Sequence, residues 1–150
     1  MLDNICAQLG LDKPQNPRML SPLVLAYIGD SIFDLAVRSM LICSYDVKAH
    51  GLHRMSSKRV CAAAQARALH SILPGLMEGE AEIVRRARNA KPGTIPKNAA
   101  PEDYAMATAL EALLGWLYLD GQEERMWELI GLCLQAQEPD RTERPAPFHP

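Results

Sequence analysis

The chain has 150 residues, 48% of them hydrophobic, which suits one domain with a substantial core. Its 16 basic and 18 acidic residues leave a formal net charge of −2, so a globally basic nucleic-acid binder is excluded and any cationic surface must be local. Four cysteines (Cys6, Cys43, Cys61, Cys133) form no C-x-x-C pair and read as buried free thiols of a reducing cytosol rather than as disulfides or a zinc site.

In chain order, residues 3–11 predict a short amphipathic helix, and Lys13-Pro-Gln-Asn-Pro17 a turn. Ser21 as N-cap, Pro22 in the first turn and apolar residues at three- and four-residue spacing predict a helix over about 22–42. It reads as buried on most sides, and Asp30, Asp34 and Arg38 interrupt its apolar run. Neither that run nor the N-terminus, which lacks a basic start before a long apolar core, reads as a membrane span or signal peptide. Asp34 stands four residues before Arg38, the spacing of a helix-face ion pair, and packing is expected to account for Tyr27. Asp30 needs another explanation, because an ionised carboxylate on a buried helix is costly without a partner, a proton or a metal ion.

Val47–Met55 predicts a short helix, and Ser56 or Ser57 then caps a longer one reaching about Leu73, stopped by Pro74-Gly75. His50-x-x-His53 lies among Lys48, Arg54, Lys58 and Arg59, which favours solvated or phosphate-facing histidines over a metal pair. The next helix, about Glu78–Asn89, runs from an acidic to a basic end, as the helix dipole favours. A loop, Ala90–Pro101, follows with three prolines and two lysines, longer than a simple connection needs. Arg85, Arg86, Arg88, Lys91 and Lys97 put five positive charges into thirteen residues without an acid, a pattern that suits an anionic polymer. Helices over about Glu102–Asp120 and Glu123–Gln135 complete the domain, the last packing Met126, Trp127, Ile130 and Leu134 inward. Glu111 is the lone charge of Thr108–Leu119 and repeats the problem posed by Asp30. The proline-rich stretch 138–150 reads as a disordered tail beyond a domain of residues 1–137.

The residues alone thus give an all-α helical bundle with one carboxylate on each of two apolar helices. Two explanations stay open. Both acids can sit in buried ion pairs, or together they can hold Mg²⁺, a hard cation that needs only one or two protein carboxylates, against a phosphodiester.

Ala26-Tyr-Ile-Gly-Asp-Ser31 resembles the E-F-L-G-D-[AS] motif of ribonuclease III catalytic domains, and Leu110-Glu-Ala-Leu-Leu-Gly-Trp-Leu-Tyr-Leu-Asp120 resembles their second acidic motif, D-x-x-E-A-[LI]-[IL]-G-x-[IL]-Y-L-D. The likeness is closer still to Mini-ribonuclease III, the short bacterial branch without a double-stranded-RNA-binding domain. That branch's strings are matched at Leu25–Asp30, His53–Val60, Arg85–Asn98 and Ala107–Gly115, and the likeness covers about residues 18–135. The resemblance implies the ribonuclease III catalytic-domain fold and a cytoplasmic, Mg²⁺-dependent endoribonuclease for double-stranded RNA, acting in 23S ribosomal RNA maturation. It further implies a homodimer, with Asp30 and Glu111 as catalytic metal-binding acids. Lys58, Arg59, Arg85, Arg86, Arg88, Lys91 and Lys97 are then expected to meet the RNA backbone. Two acids of the larger family are missing, with Ala26 and Thr108 in their places, so a non-catalytic RNA-binding relative of the same fold is the alternative. A helical protein-interaction domain with incidental buried acids is a third.

Overall fold

A computed structural model describes residues 1–91 and 93–137; the expected tail lies outside the described residues. The described residues are helical and contain no strand: α1 (Leu2–Leu9), α2 (Pro22–Ser44), α3 (Ala49–Val60), α4 (Ala62–Ile72), α5 (Glu78–Arg88), α6 (Pro101–Leu119) and α7 (Glu123–Ala136), with 3-10 turns at Pro17–Met19 and Leu73–Gly75. No described helix is long and apolar enough to cross a membrane.

The centre of the bundle is α6, which packs on α2, α4 and α5. Apart from Glu111, every residue of α6 from Met106 to Tyr118 is buried, the pattern of a helix enclosed on all sides. Pro101 sits in its first turn, and Gly121, at φ +78°, ends it in the left-handed conformation that costs glycine little. Leu110, Leu113, Leu114 and Leu117 meet Leu25, Phe33, Val37 and Leu41 of α2 in one continuous core with Leu69, Ile83, Met126 and Leu129.

Several expectations change here. α2 is half solvent-facing rather than buried on most sides: Val24, Tyr27, Leu35 and Ile42 are exposed, Tyr27 at 82%, so packing does not account for that ring. An apolar sequence cannot show which side a neighbour covers. Trp127, expected inside, is 39% exposed. All four cysteines are free, but only Cys133 is buried, and burial pushes its thiol up to about 12.

The break between α3 and α4 falls at Cys61, not Ser56. Ser56 and Ser57 donate their hydroxyls to the His53 carbonyl instead of capping a helix. Cys61 is extended (φ −67°, ψ 154°), which leaves nearby carbonyls without helical partners. Two glutamine amides donate to carbonyls around the break. Gln65 Nε2 donates to Val60 O at 2.9 Å, and Gln137 Nε2 donates to Arg59 O and Ala64 O, each at 3.0 Å. The kink is therefore held partly from α7, and it turns the start of α4 toward α6.

Candidate active site

Helices α2 and α6 meet through two glycines. A Cβ on Gly29 would lie 1.7 Å from the Glu111 carbonyl oxygen, and one on Gly115 would lie 1.9 Å from the Leu25 carbonyl oxygen. Leu25 is one turn before Gly29, and Glu111 one turn before Gly115, so each helix presses its backbone against the other's glycine. Asp30, the residue after Gly29, is thereby fixed beside the turn that bears Glu111. Glycine at both positions is what allows the two acids to meet.

Asp30 and Glu111 line one open pocket of about 610 Å³ together with the start of α4, the end of the 90–100 loop and the first turns of α6. Asp30 is exposed, whereas Glu111 is largely covered. Thr108, one turn before Glu111, lines the same pocket and is 8% exposed; Ala26 is buried in the core.

A third acid, Glu80, shows what a structural carboxylate looks like in this fold. It is 1% exposed, accepts the Met77 backbone N–H at 2.8 Å, and receives Arg125 Nε at 2.8 Å and Nη2 at 3.0 Å. Burial pushes its pKa up, but Arg125 and the Met77 amide outweigh that and leave it below the ordinary value. Glu111 is the opposite case. Among the described residues it has no salt bridge. Burial first, then the charge of Asp30, raise its pKa to about 7, with the Gln65 amide pulling weakly downward. Asp30 is raised as well, by the packed surroundings of its carboxyl and then by Asp34. Asp34 itself pairs with Arg38 Nε at 2.7 Å, as its spacing suggests. A buried ion pair thus explains Glu80 and a surface pair explains Asp34, but neither explains Asp30 and Glu111. Unneutralised acids in a cleft mark a functional site more often than a structural one.

The donor set suits a hard divalent cation. It is mostly oxygen, with the carboxylates of Asp30, Glu111 and Asp103, the Thr108 hydroxyl and Gln65, whose buried Oε1 has no hydrogen-bond partner; the Cys61 thiol also lines the wall. No cluster of three or more His, Cys, Asp or Glu able to hold a metal occurs among the described residues, so water and substrate oxygens must complete the coordination. His50 and His53, both exposed, build no such cluster either.

The basic residues divide into two groups. Arg86 donates to the carbonyls of Arg18 (2.7 Å) and Leu20 (3.2 Å), and so ties α5 to the turn before α2. Arg85 pairs with Glu82 at 2.7 Å, Arg88 with Glu102 at 2.5 Å, and Arg59 donates to Met55 O. Lys58, Lys91 and Lys97 are exposed and make no salt bridge among the described residues. Lys97 lies between Pro96 and Asn98, which both line the pocket.

The pocket also contains residues that sequence reading passed over. Asp103 shares a face of α6 with Ala107 and Glu111, a four-residue repeat that could have been seen. Gln65 and Cys61 arrive through the α3–α4 kink, which no local signal announced.

Comparison with known proteins identifies the family. Residues 23–122 match the Ribonuclease III domain model. The chain is 47% identical over 115 residues to the Mini-ribonuclease 3 of Symbiobacterium thermophilum (77% of this chain, 88% of that protein) and 46% identical over 116 residues to that of Brevibacillus brevis (77% and 87%). A crystal structure of a Fusobacterium nucleatum protein superposes with a TM-score of 0.73 at 30% identity, covering 81% of this chain and 97% of that one. With the motif glycines in contact and the motif acids in one pocket, the chain belongs to the ribonuclease III family, in its Mini-ribonuclease III branch.

Proposed function

We propose that this chain is a Mg²⁺-dependent endoribonuclease that hydrolyses phosphodiester bonds of double-stranded RNA and leaves 5′-phosphates. One observation carries the reading: Asp30 and Glu111 share an open pocket, and no side-chain cation neutralises either. A divalent cation bound there supplies charge stabilisation at the phosphorus and lowers the pKa of a bound water. The carboxylates of Asp30 and Glu111 hold it and orient the attacking water. Lys58, Lys91 and Lys97 meet phosphates, with Arg59, Arg85 and Arg88 available once RNA competes for their intramolecular partners. Arg86 supports that surface from behind through its carbonyl bonds.

The same reading takes the protein as a cytoplasmic homodimer acting on 23S ribosomal RNA precursor. Support for the dimer comes from α2, where Val24, Tyr27, Leu35 and Ile42 form an exposed apolar stripe close to one side of the helix. The branch resemblance supports the substrate.

Incubation of a long duplex RNA with the protein should give fragments with 5′-phosphate ends in Mg²⁺ and none in EDTA. One feature favours a second reading, a non-catalytic RNA-binding relative: Ala26 and Thr108 replace two acids of the wider family. Duplex that is bound but stays whole at every Mg²⁺ concentration would support that alternative.

A further inference from the structure

Gln65 lies on α4 in the wall of the Asp30–Glu111 pocket and is 2% exposed. Its two amide ends have different fates. Nε2 donates to Val60 O at 2.9 Å, and because a carbonyl can only accept, that bond fixes which end of the side chain is oxygen. Oε1 is then left buried without a hydrogen-bond partner. Two other buried side-chain atoms among the described residues share that condition, Trp116 Nε1 and Gln137 Oε1, but neither residue lines the pocket. An unpaired buried acceptor is unfavourable, so its persistence beside two acids calls for a donor that arrives with a ligand. The N–H end of the same amide also favours the ionised form of Glu111. Amide oxygens suit hard cations, directly or through one of the waters that Mg²⁺ retains.

We propose that Gln65 is a positioning residue of the cation site, its Oε1 accepting a hydrogen bond from a water bound to the divalent cation that Asp30 and Glu111 hold. This rests on the metal-site reading of the pocket and adds what the two acids lack. A neutral oxygen on α4 takes over part of the orienting work for which Ala26 and Thr108 have no carboxylate. It also gives the α3–α4 kink a purpose, since the bond to Val60 O stabilises the break and leaves Oε1 as the unbonded end of the amide.

The test uses Mn²⁺ as probe, with its binding to the RNA-free protein followed by electron paramagnetic resonance of the free ion. Gln65→Met keeps the chain length but removes the oxygen, and should weaken Mn²⁺ binding by about tenfold or more. Gln65→Glu keeps an oxygen, loses the donor to Val60 O, and should bind Mn²⁺ at least as tightly as wild type. A residue that only staples the kink would behave differently, because both variants lose that staple: equal weakening in the two overturns the proposal. So does unchanged binding in Gln65→Met when Asp30→Asn loses binding, an outcome that leaves the active-site reading intact. If Asp30→Asn binds Mn²⁺ like wild type, the site reading itself fails and this inference with it. Should Gln65→Met lack helical circular dichroism, Gln65→Glu decides alone, and weaker binding than wild type contradicts the proposal.

Discussion

The α2–α6 crossing and the basic segment from Arg85 to Lys97 both stand out in the sequence, yet the fold treats them in opposite ways. At the crossing, backbone contacts through Gly29 and Gly115 bring Asp30 and Glu111 to one pocket, and among the described residues no side-chain cation pairs with either. In the basic segment, three of the five cations are drawn into the protein's own contacts: Arg85 with Glu82, Arg86 with two carbonyls, Arg88 with Glu102. A charge that the fold could satisfy but does not is therefore more informative here than a run of charges. The first reflects a constraint on every neighbouring atom, whereas the second needs only an exposed surface.

The largest expected effect tests the rigid side of this contrast. Gly29→Ala or Gly115→Ala puts a methyl where the facing backbone already lies, and either should lower stability by on the order of 3 kcal/mol or more, or abolish folding, in chemical denaturation. Gly131→Ala in α7, where a Cβ meets nothing within 4 Å, should instead raise stability by about 0.5–1 kcal/mol.

Next comes pH dependence without metal. Glu111 ionises at about 7 in the folded protein, against an ordinary value of 4.5. Between those values the unfolded chain has released a proton that the native state keeps, so the contribution of Glu111 to native stability falls as pH rises from about 4.5 to 7 and levels off above. The loss is at most about 3 kcal/mol. Glu111→Gln should remove this slope, and saturating Mg²⁺ should restore stability at pH 8 by binding the ionised form. Urea titrations at pH 5 and pH 8, with and without Mg²⁺, check both.

Smaller effects separate the two kinds of cation in the basic segment. Arg86→Ala removes bonds to the Arg18 and Leu20 carbonyls and should cost about 1–2 kcal/mol of stability, visible in thermal melts, with little change in the salt dependence of RNA binding. Lys97→Ala should do the reverse, leaving the melt unchanged and lowering the slope of log affinity against log salt by about one. Equal behaviour of the two variants would erase the distinction.

Much of the fold could be read in advance because strong periodicity, prolines and stop glycines bound α2, α5, α6 and α7 within about two residues. The errors have a common physical source. The α3–α4 break has no glycine or proline, and one of its supports, Gln137, lies 78 residues from Arg59, so nothing local marks it. Tyr27 and Trp127 were expected inside because an apolar helix does not reveal which of its sides is covered. Asp30 and Glu111 were legible as isolated charges on apolar helices. Their common pocket was not, because the reciprocal glycine contact exists only once α2 and α6 are packed. Glu80 escaped notice as a buried residue because two other acids, Glu78 and Glu82, surround it in sequence and Arg125 reaches it from 45 residues away.

In the proposed mechanism Asp30 and Glu111 serve chemistry rather than folding or RNA affinity. Its most direct test measures Mg²⁺-dependent cleavage and filter-bound retention of the same duplex RNA for wild type, Asp30→Asn and Glu111→Gln. Both variants should retain RNA within about twofold of wild type while cleavage falls at least about a hundredfold. Cleavage by Glu111→Gln at the wild-type rate would contradict the account.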